Sequence, residues 1–130
     1  MDNMSGGKSA LGLDVNVASL LAYIPICLVG LIVSIIIIVT DKTNRTARFH
    51  AFQSLLVHAV FIVFYVVVMV VAGMSVATNS TMLGLLTTLL YIVWIVGLLG
   101  ICIFLAVKAY SGSIFKLPVI GDMAEKWANS

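Results

Sequence analysis

Arg48-Phe49-His50-Ala51-Phe52-Gln53-Ser54 is the stretch that decides the class of this chain. It sets a cation, an imidazole, an amide and a hydroxyl at the mouth of an aliphatic run beginning at Leu55. A fold in water cannot leave so long an apolar run uncovered. A helix that only spans a bilayer has no need of His50, Gln53 and, one turn deeper, His58. The stretch therefore marks a membrane protein and its candidate functional surface together.

Composition agrees. Of 130 residues, 62% are hydrophobic and 9% charged, whereas an ordinary globular domain is roughly a quarter charged. Lipid must be the solvent for much of this surface. The length fits one domain. Cys27 and Cys102 lie in apolar runs with no Cys or His at metal-ligand spacing, so both read as small buried hydrophobes. No metal or other cofactor is expected. The polar start of the chain is not a signal sequence, because the first apolar run comes late and is too long.

Three apolar runs, Val17 to Thr40, Leu55 to Ala72 and Leu83 to Val107, contain no Asp, Glu, Lys or Arg. A hydrocarbon core of ~30 Å needs about 20 helical residues, and lipid forces backbone groups to pair within the segment. The expected fold is an all-α integral membrane protein with three transmembrane helices, at about 17–40, 47–72 and 83–107. A polar N-terminus (1–13) precedes the transmembrane domain (14–112), and a tail (113–130) follows it. Asp14 or Asn16 is expected to cap the first helix, and Asn44 or Thr46 the second. Pro25 is expected to kink the first. Gly73 to Thr81 reads as the uncharged outer connection.

With three spans, Lys42, Arg45, Arg48, Lys108, Lys116 and Lys126 share one side, against Lys8 on the other. Basic residues stay cytoplasmic. The expectation is a multi-pass protein of the cell membrane, N-terminus outside and C-terminus cytoplasmic. Arg48 and Lys108 would snorkel to anionic lipid headgroups at the inner face. In the tail, Val119, Ile120, Met123 and Trp127 recur at helical spacing, with Pro118 in the first turn. Such a helix either lies in the headgroup layer or docks beneath the bundle. Pairing of Arg45 or Arg48 with Asp122 or Glu125 would dock it.

His50, Ser54 and His58 share one face of the second helix, with Gln53 beside them. Polar groups at such positions face other protein or water. Two functions compete for Arg48, His50, Gln53, Ser54 and His58: bonds that join helices, or the lining of a path. A metal site fits poorly, since two histidines eight residues apart are two turns apart. No nucleophile–base or paired-carboxylate arrangement supports an enzyme.

Asp41-Lys42-Thr43-Asn44-Arg45, followed by Ala47-Arg48-Phe49-His50-Ala51-Phe52-Gln53-Ser54, resembles the central signature of a family of small bacterial and archaeal membrane proteins of unknown function. This is the DUF-four-eight-seven-zero type, grouped with the twenty-kilodalton inner-envelope component of the chloroplast protein-import translocon. Gly12-Leu13-Asp14 to Tyr23, Lys108-Ala109-Tyr110 and Phe115 to Trp127 extend the resemblance over nearly the whole chain. It implies no catalytic or cofactor residues. The expected function is a non-enzymatic membrane subunit that self-associates or binds another membrane protein, distantly similar to translocation components. The alternative is a small oligomeric channel or transporter lined by the polar stripe. Nucleic acid is not an expected partner.

Overall fold

The computed structural model describes residues 12–23 and 29–130. Five helices appear among them: α1 Val15–Ala22, α2 Val29–Thr40, α3 Arg45–Thr78, α4 Thr81–Tyr110 and α5 Ile120–Ala128. Pro25 and Cys27, with the kink expected near them, lie outside the described residues.

Two of the helices are long and apolar enough to cross a membrane. α3 has 34 residues and α4 has 30, each more than long enough to cross a ~30 Å core. Both turn aliphatic side chains outward: Val63, Val70, Leu85, Val96 and Ile103 are all more than half exposed. Such faces are stable only against lipid or other protein. The outer connection is tighter than its composition suggests. α3 runs on through Gly73 to Thr78, and only Asn79 and Ser80 form the turn. In lipid a helix keeps its backbone paired where a loop would not. Asn79, at φ 50, ends α3, and the Ser80 side chain accepts from Leu83 N–H at 3.3 Å to begin α4. Midway, Trp94 Nε1 donates to the Phe61 carbonyl at 2.7 Å. Phe61 in turn approaches Gly97, where an added Cβ would meet its ring at 3.5 Å.

The first apolar run is not one helix. α1 ends with Tyr23 as its C-cap, and Ser34 of α2 donates to the Ala22 carbonyl at 3.3 Å. Ala18 and Ala22 cluster with Ile37 of α2 and with Ala47 and Ala51 of α3. In a continuous helix Ala18 and Ile37 would stand about 28 Å apart. The two helices therefore fold back on one another. This corrects the expected helix over 17–40. Leu13 packs on the same cluster, so the described start of the chain lies at the end that carries Thr40 to Arg45. A three-helix bundle would have put it at the opposite end. The small residues on α1 explain the close packing, because they let a second backbone approach without large side chains between.

α3 begins where Asn44 caps it, accepting from Ala47 N–H at 3.2 Å. Asp41 braces that cap by accepting from Asn44 N–H at 3.0 Å. Asp14 stands at the N-cap of α1 without a side-chain capping bond. After α4, Gly112 takes the positive φ that the turn requires (φ 81). The chain then runs back along α3 to Pro118-Val119-Ile120. There Ile120 N–H bonds the Pro118 carbonyl at 2.7 Å with Val119 at φ 65 and ψ −55, a strained γ-turn. α5 thus begins after Pro118 rather than around it.

Candidate functional site: the polar base of α3

Polar side chains of the first part of α3 are buried in three tiers. In the lowest, Arg48 is 8% exposed. Its Nη1 donates to the carbonyls of Ile38 (3.3 Å) and Asp41 (3.2 Å), and its Nε to that of Ala128 (3.4 Å). Those carbonyls belong to the C-terminal ends of α2 and α5, the negative ends of their dipoles. The guanidinium also lies 5.5 Å from the centre of the Phe52 ring. Arg48 therefore joins two helix ends inside the protein instead of snorkelling to lipid phosphates.

In the middle tier, Tyr23 closes α1 with its hydroxyl 3.0 Å from His50 Nδ1. Gln53 Nε2 donates to that hydroxyl at 3.0 Å and to the Phe115 carbonyl at 3.0 Å. Gln53 Oε1 accepts from Leu117 N–H at 3.1 Å. One amide thus bonds the backbone on both sides of Lys116 and grips α1 as well. The proton count assigns the imidazole. Of the two partners of the Tyr23 hydroxyl, Gln53 Nε2 can only donate, so the acceptor left for the buried hydroxyl proton is His50 Nδ1, and His50 carries its hydrogen on Nε2.

In the upper tier, Ser54 Oγ donates to the Ala22 carbonyl. His58 Nδ1 lies 2.8 Å from the Ser54 carbonyl and 3.3 Å from Ser54 Oγ. A carbonyl can only accept, so His58 is protonated on Nδ1, the opposite tautomer to His50.

The tail docks on this base. Gly121, Ala124 and Ala128 are the buried residues of α5, and Ala124 and Ala128 pack with Phe49, Phe52 and Leu56 of α3. The docking face is thus the small-residue one. The bulkier Val119, Met123 and Trp127 are all exposed, Trp127 with one edge beside Phe52, ring centres 5.7 Å apart. Gly121 is required for close approach: a Cβ there would come within 2.5 Å of Lys116 Cβ and 2.7 Å of its Cα. Lys116, not Arg45 or Arg48, meets the acidic residues, with Glu125 at 2.6 Å and Asp122 at 3.7 Å. The Lys116 hydrogen bond holds the Glu125 carboxyl down at about 2 and raises Lys116 in return. The expected arginine–carboxylate docking pair is replaced because the Arg48 guanidinium is spent on helix ends.

Lys42 Nζ bonds the Ile38 carbonyl at 3.4 Å, Arg45 and Lys126 are exposed, and Lys108 Nζ lies 5.7 Å from the centre of the Phe104 ring. All lie at the same end of the molecule. The other end, around the α3–α4 turn, is uncharged. It carries an open pocket of about 430 Å³ lined by Ser75, Asn79, Ser80, Thr81 and Thr88 among others. Ser75 and Thr88 donate inward, to the carbonyls of Ser80 (3.1 Å) and Gly84 (3.1 Å), and so present oxygen lone pairs. Among the described residues, no three His, Cys, Asp or Glu side chains group as metal ligands do.

The structure brings Arg48, His50, Gln53, Ser54 and His58 into one buried seam. Sequence reasoning missed the partners: Tyr23, the Ala22 carbonyl and the 115–117 backbone. Tyr23 alone carried a readable signal, since a tyrosine in an apolar run needs a partner for its hydroxyl.

Comparison with known proteins gives one family. The model of the MamF/MmsF family, described as a magnetosome magnetite crystal formation protein family, matches residues 13–124. The chain belongs to that family. No curated protein matches significantly, and neither does any solved structure. The match overturns the resemblance to the unknown-function and plastid-translocon families. Several of the residues quoted for that resemblance, Tyr23, Ala47, Arg48, Phe49, Ala51, Gln53 and Ser54 among them, pack or bond α1, α2 and α5 onto α3, and packing residues mark a fold rather than a cargo.

Proposed function

We propose, on the premise that this chain is a MamF/MmsF-type magnetosome membrane protein, that it is a non-enzymatic structural component of the membrane in which magnetite forms. The observation that carries this reading is the use of the polar stripe. Gln53, Ser54, Arg48 and the Nδ1 atoms of both histidines are bonded to the protein's own backbone and side chains. A conduit needs polar groups turned toward water, and these are turned inward. The stripe acts as a fastening for α1, α2 and α5.

In this reading α3 and α4 are the two membrane spans, and α1 with α2 forms a re-entrant hairpin. At 12 residues, α2 falls in the length range of such segments. The basic end, with the described start of the chain and the tail, faces the cytoplasm by the positive-inside rule. The uncharged hydroxyl-lined turn then faces the magnetosome lumen and the mineral. Exposed Lys42, Arg45 and Lys126 meet anionic headgroups, and Val119 and Met123 of the tail enter the same interface. The outward faces of α3 and α4 offer room for a second copy or another membrane protein.

Two experiments on the full chain test this. In intact magnetosome vesicles, Asn79→Cys should be protected from an impermeant maleimide until the membrane is opened, and Thr43→Cys should label at once. In proteoliposomes the protein should add no ion or proton flux. Labelling in the reverse order would invert the orientation, and a flux abolished by His58→Ala would replace this reading with the channel alternative.

A further inference from the structure

A second set of polar atoms lies beneath the Tyr23–His50 bond, outside the fastening just described. Asn16 Oδ1, Ser19 Oγ, Thr46 Oγ1 and His50 Nε2 are all buried, and none has a partner among the described residues. Ser19 is 0% exposed, and Thr46 and His50 are each 2% exposed. Leaving such atoms unsatisfied costs about 1–3 kcal/mol apiece, so their recurrence on two facing helices calls for a cause.

Helix geometry puts them together. Asn16, Ser19 and Tyr23 follow one another on one side of α1, and Thr46, His50 and Gln53 on one side of α3. Tyr23 bonds both His50 and Gln53, so the two sides face each other. The Ser54–Ala22 contact, with Ala18 clustered against Ala47 and Ala51, sets the register with the helices running the same way. At the helical rise, Ser19 then stands level with His50, and Asn16 near the turn of Thr46.

We infer that this seam between α1 and α3 is a binding site for water, holding one or two molecules permanently. The chemistry of the set selects that ligand. His50 Nε2–H only donates, Asn16 Oδ1 only accepts, and the two hydroxyls do either. Water, with two donors and two acceptors, matches such a mixture and satisfies buried polar groups in threes and fours. A divalent cation is a poor match, because the Tyr23 bond leaves the hydrogen on Nε2, where a metal needs the lone pair. An anion is equally poor, because Arg48 is turned to the helix ends of α2 and α5. The water locks the His50 tautomer and so the Tyr23 contact that holds the hairpin to α3. This follows from geometry alone and does not depend on the function proposed above.

The test is magnetic resonance of the full chain in lipid nanodiscs with ¹⁵N-labelled histidine. His50 should show hydrogen on Nε2 and magnetisation transfer from water to it. The double variant Ser19→Ala/Thr46→Val should lose that transfer. Thr46→Ser should keep it, which controls for folding, and the His58 signals should serve as an internal reference. Absence of transfer in the natural protein, hydrogen on His50 Nδ1, or a His50 shift on adding Zn²⁺ would each overturn the inference.

Discussion

Replacing Gln53 with leucine should free the tail while leaving the two long helices intact. Gln53 is fully buried and makes three hydrogen bonds: to Tyr23 Oη, the Phe115 carbonyl and Leu117 N–H. Leucine is of similar size, so the loss is polar rather than a cavity. Side-chain hydrogen bonds between membrane helices are worth about 0.6–2 kcal/mol each, which puts the two that reach the tail, to Phe115 and Leu117, at about 1–4 kcal/mol. That shifts the docked-to-released equilibrium of residues 113–128 by about 5-fold to about 700-fold. Hydrogen exchange read by mass spectrometry, on protein in nanodiscs, measures it directly. Amides of 115–117 and of α5 should exchange faster by that range, while those in the interior of α3 and α4 should not change. Equal exchange in the tail of both proteins would refute the idea that this amide holds it.

Further outcomes follow from the same base. Arg48→Leu removes the donor shared by Ile38, Asp41 and Ala128 and should cost about 1.5–3 kcal/mol, the range for hydrogen bonds to a charged group, seen as a lower unfolding temperature in detergent. Gly121→Ala places a Cβ against the Lys116 backbone and should destabilise docking by about 1–3 kcal/mol, read as easier proteolysis within 113–120. The Lys116–Glu125 contact gives a pH dependence. The Glu125 carboxyl sits at about 2 in the folded chain, below its ordinary value of 4.5, so its support is complete above that ordinary value and is lost as pH falls through about 2. Tail protection, the slowing of exchange relative to an unstructured chain at the same pH, should therefore be flat from neutral pH to about 4.5 and fall below it, and Glu125→Gln should abolish that fall.

The long helices were legible because length and apolarity identify a membrane helix almost without help from packing. The polar stripe was legible for a related reason: His50, Ser54 and His58 are costly residues at helical spacing. Their partners were not, because the carbonyls of Ala22, Phe115 and Ile38 have no side-chain signature. The first apolar run misled because one long apolar helix and two shorter ones folded back on each other need the same composition. What separated them was the small face of Ala18 and Ala22, the hydroxyl of Ser34 and the unpaired phenol of Tyr23, all of which need a neighbour. The tail misled in the opposite sense. Its large apolar residues suggested the buried face, yet Gly121, Ala124 and Ala128 make it, since only small side chains allow α5 to approach α3 so closely.

The folding back of the first apolar run on α3 is best tested by one distance. Asp14 and Thr43 are both exposed and accept spin labels as Asp14→Cys and Thr43→Cys, with Cys27 and Cys102 replaced by alanine. If α1 and α2 lie side by side, dipolar spectroscopy in nanodiscs should give a distribution centred below about 25 Å, given helix separations of 8–10 Å and the label arms. A distribution centred at about 44 Å, the length of one uninterrupted helix between those positions, would contradict the hairpin and with it the role assigned to the polar base of α3.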